Sequence, residues 1–507
     1  MLRNIFSNWF GLFLAGLLGA VLTPIMVHHL GNLYYGMWVL LGSLLDYAGL
    51  LDLGMRTTLF RYVAYFKGGE QRGPLNEVFS TGMAISLGLM TFTILLAVSL
   101  SRVLPTFFKF TGHDKSVFMV VIVLLGLSIA ASFPSQFMLA YIRGLQRFDL
   151  YNVSLVVYAL ARAVAIIVLL ELRFGITSIA IATAILTAAS VGMNWALVKG
   201  ADRELRPSRA CLTWARTREM FNFGFFSFVN NSGESLRYYT DSFVIGRMLS
   251  VALITPFSIA TRLMEYYKTL VSGISGPIMV RLSELSGRDR EEELREEFLR
   301  ATRFAALLSV FIGCMLILNG KALIRLWVGP ALLASYPILV VLTVGYIFTW
   351  GQVTGQLLIF ARARRHKGLS WWTLVEGAAN LALSIYWARK YGIIGVALGT
   401  TVPLLASKLI VQPWYVLKDL NMNSWAYFEG GLARATLAGG IFFGGLWLLL
   451  RNFDTGANYF MLFGSCVVET ILFAALAYWI GMSETDRRAV RDQGRIVAMS
   501  LGLARGV

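Results

Sequence analysis

The segment from Arg147 to Thr183, RFDLYNVSLVVYALARAVAIIVLLELRFGITSIAIAT, returns in outline between Arg364 and Thr400, RRHKGLSWWTLVEGAANLALSIYWARKYGIIGVALGT. At a constant offset of 217 (364 − 147), Arg147 falls on Arg364, Arg173 on Lys390, Ala180 on Ala397 and Thr183 on Thr400. Phe174-Gly175-Ile176 falls on Tyr391-Gly392-Ile393, and no gap is needed. Each copy holds two apolar runs of about 20 residues, the length that crosses a hydrocarbon core of roughly 30 Å as a helix. Chance matching between apolar segments is a poor account of charges and an aromatic-Gly-Ile turn kept in register. Weak internal symmetry of this kind is how two lobes of a transporter reveal themselves.

Outward from this block, similar runs recur from end to end. They predict spans at 6–28, 36–60, 78–100, 117–140, 151–171, 176–197, 221–246, 251–279, 301–319, 334–360, 370–388, 393–417, 430–450 and 458–481. The expected fold is therefore all-α: a polytopic membrane protein of about 14 transmembrane helices. The runs are too long and too little alternating for barrel strands. Spans one to six would form one lobe (residues 1–215) and spans seven to twelve the second (216–420), with 421–507 as two extra helices and a tail. Six is an even number, so both lobes enter the membrane from the same side and the repeat is parallel. The first run, Ile5 to Val27, has a long apolar core and no clear small-residue cleavage site, so it reads as a retained helix rather than a signal peptide.

Composition agrees. Of 507 residues, 57% are hydrophobic and only 14% charged, with a mean hydropathy of +0.66. Soluble domains carry about 25% charged residues. The net charge of +17 sits in short loops, which points to orientation in a membrane rather than to nucleic acid. With the N-terminus cytoplasmic, about 26 Lys/Arg fall on the inner side and about 10 on the other. Both termini are then cytoplasmic. The stretch Arg288 to Arg300, RDREEELREEFLR, reads as a solvated helix.

Ionisable side chains within spans cost several kcal/mol unless they meet a partner or a wet cavity. Span two carries Asp46, Asp52 and Arg56, the last two spaced to share a face. Span seven carries Glu234, Arg237 and Asp241 in 3-then-4 spacing, and span eight carries Arg262, Glu265 and Lys268 in steps of three. Arg162, Glu376, Lys408 and Glu469 stand alone. Two readings of the stripes are open: they pair with one another and hold helices together, or they line a water-filled path. A cavity is the preferred reading for Arg262 and Lys268. Glu469 reads as packing or snorkelling.

Other function classes lose ground. There is no Walker A sequence, no CxxC or HExxH, and no nucleophile elbow in a credible setting. Three scattered cysteines and four scattered histidines suggest neither a disulfide framework nor a metal site. No cofactor is expected, and the chain does not read as an enzyme.

The segment from Tyr35 to Ala64, YGMWVLLGSLLDYAGLLDLGMRTTLFRYVA, resembles the first hairpin of the polysaccharide transporter family. These are the O-antigen and exopolysaccharide flippases of the multidrug/oligosaccharidyl-lipid/polysaccharide exporter superfamily. Its DLG at Asp52-Leu53-Gly54 and the later RYVA are the telling parts. GLQRF (Gly144 to Phe148), IRLWVG (Ile324 to Gly329) and YGIIGVALGT (Tyr391 to Thr400) are similar to other signatures of that family.

The resemblance implies two six-helix bundles forming a V, with helices one, two, seven and eight at the portal. It implies a cargo: an undecaprenyl-pyrophosphate-linked oligosaccharide, flipped across the bacterial inner membrane. It also implies a cationic lumen, assigned here to Arg56, Arg237, Arg262 and Lys268. Asp46, Asp52, Glu234, Asp241 and Glu265 are then candidates for proton or sodium coupling or for charge pairing. Expected partners are the lipid-linked cargo, membrane lipids and a polysaccharide polymerase, without nucleic acid. Two further readings stay open: an ion-coupled multidrug or small-molecule exporter, which predicts an acid-dominated cavity, and a polytopic glycosyltransferase or polymer ligase, which predicts a long outer loop.

Overall fold

The computed structural model describes residues 2–48, 55–208, 240–288, 290–362, 366–450 and 458–488, with 490–492 and a few isolated positions between 209 and 239. The described chain is helical and holds no strand. Its main helices are α1 (Leu2–Ala48), α2 (Met55–Gly68), α3 (Arg72–Phe107), α4 (Gly112–Gly144), α5 (Phe148–Glu171) and α6 (Ile176–Ala201). After a helical stretch over 240–248 come α7 (Ile254–Gly287), α8 (Glu291–Trp327), α9 (Ser335–Gly351), α10 (Val353–Arg362) and α11 (His366–Ala406). The last are α12 (Gln412–Leu420), α13 (Arg434–Leu450) and α14 (Tyr459–Leu476).

Among the described residues, ten helical stretches are long and apolar enough to cross a membrane. The protein is an all-α polytopic membrane protein, as expected. The larger number of expected crossings differs from ten for physical reasons. A straight helix of the 47 residues of α1 would be about 70 Å long, twice a hydrocarbon core. It breaks instead at Gly31 (φ 70°, ψ 176°). α11 breaks at Gly392 (φ 60°, ψ −138°), a conformation that a residue with a Cβ rarely adopts. In a straight helix Ser384 and Gly399 would stand about 22 Å apart. A Cβ on Gly399 would lie 2.5 Å from the Ser384 nitrogen, and Ser384 Oγ donates to the Val396 carbonyl at 3.3 Å. α11 is thus a hairpin of two spans. α7 is kept out of the apolar set by Arg262, Glu265 and Lys268. The span expected at 221–246 lies mostly outside the described residues.

The register of 217 is visible in local structure. Ile176 and Ile393 both restart a helix after the turn. Thr183 and Thr400 each donate to the carbonyl four residues back, at 2.8 Å to Ile179 and 3.3 Å to Val396. The turns themselves differ. The first puts Arg173 at φ 60° and leaves Gly175 at φ −80°, whereas the second places the positive φ on Gly392.

The chain divides into two compact units: Met1–Thr255 with Thr373–Leu381, and Pro256–Trp372 with Ala382–Val507. In the first, α2, α3, α4 and α6 bury a cluster that includes Leu59, Phe79, Phe137 and Tyr141. Hydroxyls and one amide stitch α4, α5 and α6 together: Ser128 with Thr187 at 2.9 Å, Ser135 with Ser190 at 2.9 Å, and Ser154 donating to Asn194 at 2.6 Å. Small polar residues of this kind let helix backbones approach and bond across the interface in lipid. In the second unit α8, α13 and α14 bury Val310, Phe442 and Phe473.

The loop end of each unit is tied by an aspartate, buried in the first unit and half-buried in the second. In the first, Asp202 closes α6 and accepts from Arg72 at 2.9 Å and from Tyr141 at 2.8 Å. Burial would raise its carboxyl, but those two hydrogen bonds outweigh it and hold Asp202 below the usual carboxylate range. In the second unit Asp419, at the same offset (419 − 202 = 217), accepts from Arg362 at 2.9 Å. Arg362 also bonds Glu291 at the start of α8.

Two outcomes are expected. Gly36→Ala would put a Cβ 2.2 Å from the Val251 carbonyl oxygen, against backbone that cannot yield cheaply, so it should cost about 1–3 kcal/mol in thermal unfolding. Asp202→Asn should cost about 1.5–3 kcal/mol at neutral pH, toward the lower end because the Arg72 side chain is 41% exposed. A depressed folded-state value gives stability that is present above the unfolded value of about 3.9 and is lost as pH falls through the folded one. The gap between wild type and Asp202→Asn should therefore close in acid, and an undiminished gap at low pH would refute the assignment.

Candidate functional site

The charged positions expected to work are best described unit by unit. In the first unit, Arg56 lies half-buried in the first turn of α2. The second half of α1 packs on the helical stretch that ends at Met248. Ser43 Oγ donates to Ser242 Oγ at 3.2 Å, and Tyr47 and Thr240 share a hydrogen bond of 2.6 Å. Asp241 lies between these contacts in sequence and is 4% exposed. Farther along α1, Thr255 donates to the Asn32 carbonyl at 2.7 Å. Trp38 lies beneath the Arg162 guanidinium, 5.8 Å from carbon to ring centre. This gives one of the isolated charges an aromatic partner.

In the second unit, α7 is divided lengthwise. One face is buried: Leu263, Met264, Tyr267 and Val271 pack inward, with the Tyr267 hydroxyl donating to the Ser309 carbonyl at 2.6 Å. The other face carries Arg262 and Glu265, paired at 2.6 Å with side chains 41% and 57% exposed. Lys268 lies 5.9 Å from the Trp350 ring centre. Three-residue spacing predicted this stripe, in which Glu265 is exposed and Arg262 and Lys268 are half-buried.

Glu234, Arg237 and Asp52 lie outside the described residues, as does the side chain of Asp46. The structure brings Arg262, Glu265 and Lys268 together on α7 and places Arg56 and Asp241 in the first unit. Of the isolated charges, Glu376 is buried, Lys408 donates to Gln412 at 2.7 Å, and Glu469 accepts from Asn319 at 2.7 Å. Glu469 is 1% exposed, which settles its reading as packing and rules out snorkelling. A largely apolar groove of about 940 Å³ in the second unit is lined by Ile347, Leu409, Trp414, Tyr427 and Phe428 among others. It holds none of the predicted cationic residues. Sequence reasoning missed the Ser43–Ser242 and Tyr47–Thr240 contacts, since hydroxyls in apolar runs show no distinctive pattern. It also missed Asp202 and Asp419, although the offset of 217 would have found them.

A bundle of long apolar helices with an internal repeat and charge on selected faces defines an integral membrane transporter fold. The comparisons place it further. Residues 69–337 match the family model for polysaccharide biosynthesis proteins, and the chain belongs to that family. A Shigella flexneri protein named for O-antigen transport is 22% identical over 434 residues, covering 82% of this chain and 97% of that protein. The structure of the lipid II flippase MurJ in an inward closed conformation superposes with a TM-score of 0.72 at 14% identity, over 94% of this chain and 98% of that one. An inward-facing multidrug resistance MATE transporter of the MOP superfamily gives 0.71 at 14% identity, over 81% and 96%. These relatives are transporters and flippases, not enzymes, in line with the reading of the sequence.

The seam between α1 and the stretch before Met248 can be checked by crosslinking. In a background lacking Cys211, Cys314 and Cys466, Ser43→Cys with Ser242→Cys should form a disulfide under mild oxidation, because the hydroxyls sit 3.2 Å apart. Mass analysis after proteolysis reads the link. Its absence would mean the two segments do not meet there.

Proposed function

We propose that this protein is a flippase that carries a polyprenyl-pyrophosphate-linked oligosaccharide across the bacterial inner membrane by alternating access, for surface polysaccharide synthesis. The family membership, the named O-antigen relative and the fold shared with a lipid flippase support this reading. The observation that carries it is the exposed cationic stripe of α7. Arg262 is paired with Glu265 while both side chains stay well exposed, and exposed ion pairs are worth only about 0–1 kcal/mol. Exchanging that carboxylate for a cargo pyrophosphate therefore costs little, and a guanidinium can grip phosphate oxygens in bidentate fashion.

In this reading residues 1–215 and 216–420 are the moving lobes, 421–507 is an appendage, and both termini are cytoplasmic. Arg56, Arg237, Arg262 and Lys268 replace the hydration of the pyrophosphate while the prenyl tail stays in lipid. Asp46, Asp52, Glu234, Asp241 and Glu265 are the carboxylates available for proton or sodium coupling, and a polysaccharide polymerase would take the product. A mixed-charge stripe suits an anionic cargo better than the acid-dominated cavity of a cation exporter.

The test is accumulation of lipid-linked oligosaccharide, resolved by membrane leaflet, in cells carrying variants. Arg262→Gln and Lys268→Gln should reach the membrane at wild-type levels yet leave cargo on the inner leaflet, with output down at least about tenfold. Arg262→Lys should recover only part of it, since an ammonium cannot make the bidentate contact. Full output from both neutralised variants would sink the cationic path. Unchanged lipid pools in a deletion strain would bring a drug exporter to the front.

A further inference from the structure

α14 carries a single charged residue, Glu469, and buries it against α8. Asn319 of α8, 4% exposed, donates from Nδ2 to Glu469 Oε2 at 2.7 Å. The remaining polar atoms of this pair, Asn319 Oδ1 and Glu469 Oε1, are both buried and have no hydrogen-bond partner. As a carboxylate, Glu469 would hold a full charge at membrane depth with one neutral donor to support it. Both orphaned atoms would then be acceptors lacking a proton. That is an expensive arrangement, because a buried polar atom without a partner forfeits its hydration for nothing.

One proton removes the difficulty. Placed on Oε1, it makes Glu469 a donor toward Asn319 Oδ1, while Asn319 Nδ2 continues to donate to Oε2. The acid and the amide then face each other through two hydrogen bonds, and every polar atom of the pair is satisfied. We propose that Glu469 is a neutral carboxylic acid, closed in a two-bond ring with the Asn319 amide, and that this proton-binding site fastens α14 to α8.

The surroundings supply no competing charge. On its own helix the nearest titratable group is Cys466, one turn earlier. From α8 come Cys314, the exposed Lys321 and, six residues beyond Asn319, Arg325; no ion pair joins any of them to Glu469 among the described residues. α13 presents apolar Phe442 and Leu446, and its one charge, Arg434, stands at its first residue. The π-helical turn Ala477–Gly481 adds only Tyr478.

The neutral acid has a close mimic. In Glu469→Gln the side-chain NH₂ takes the place of the acid O–H and can donate to Asn319 Oδ1, so the ring survives without titrating. Purified protein in lipid nanodiscs should show three things. At about pH 4, where the unfolded glutamate is also largely protonated, Glu469→Gln should melt near the wild-type temperature and Glu469→Ala well below it. The wild-type minus Glu469→Gln infrared difference at neutral pH should contain the carbonyl stretch of a protonated carboxyl, shifted in D₂O. As pH rises above the unfolded glutamate value of about 4.3, wild type should progressively lose stability that Glu469→Gln keeps. Carboxylate bands at neutral pH would overturn the proposal, as would a Glu469→Gln protein as unstable as Glu469→Ala. If Glu469→Ala fails to fold, the infrared comparison decides alone. None of these readouts depends on cargo, so they stand apart from the flippase assignment.

Discussion

A carbonyl that leaves its helix inside hydrocarbon has no water to turn to. The second unit meets this constraint where α9 gives way to α10 at Gln352, a residue 1% exposed. Beside the Gly355 N–H at 3.1 Å, Gln412 Nε2 donates to the Gln352 carbonyl at 2.6 Å, and Lys408 donates in turn to Gln412 Oε1 at 2.7 Å. The Tyr427 hydroxyl reaches Gln352 Oε1 at 2.9 Å. Lys408 sits in the π-helical segment Ser407–Val411, and Ser407 accepts from Trp372 at 3.0 Å. A break in one helix is thus made tolerable by side chains from two later segments. The same demand explains the paired hydroxyls between α4, α5 and α6, and it is why an isolated lysine in an apolar run is a structural necessity as readily as a functional one.

Much of the fold was legible because membrane helices advertise themselves by length. The repeat went further, since its offset reappears in helix starts, in the back-bonding of Thr183 and Thr400, and in Asp202 and Asp419. Turn geometry was not legible. The same aromatic-Gly-Ile sequence places its left-handed residue at Arg173 in one copy and at Gly392 in the other. A turn depends on where the preceding helix stops, and nothing in those three residues sets that. The break at Gln352 was equally hidden, because the run from 334 to 360 carries no charge and the glutamine that supports the break lies 60 positions away.

The candidate site was legible where charge made it so. Arg262, Glu265 and Lys268 announce a face by spacing alone, and the structure puts the apolar residues between them inside. Partners were less accessible to sequence reading. Which acid an arginine meets, or that Arg162 lies over Trp38, follows from packing between segments far apart in the chain. The aspartates that tie each unit were overlooked because they stand at loop ends, where a charge ordinarily needs no explanation; only the offset of 217 singles them out.

Two arginines show how the structure separates holding from handling. Arg362 is 8% exposed and meets Asp419, itself 10% exposed, as well as Glu291. Removing a partner there would strand a desolvated charge, so the interaction resists exchange whatever its net contribution. Arg262 is 41% exposed and is paired with Glu265, which is more exposed still. Solvent-level exposure of both groups keeps this pair weak, and in the proposed function a phosphate group would have little to displace there. The same side-chain chemistry is therefore locked at the end of one helix and left exchangeable in the middle of another. Burial, rather than residue type, decides which arginine is held and which stays exchangeable.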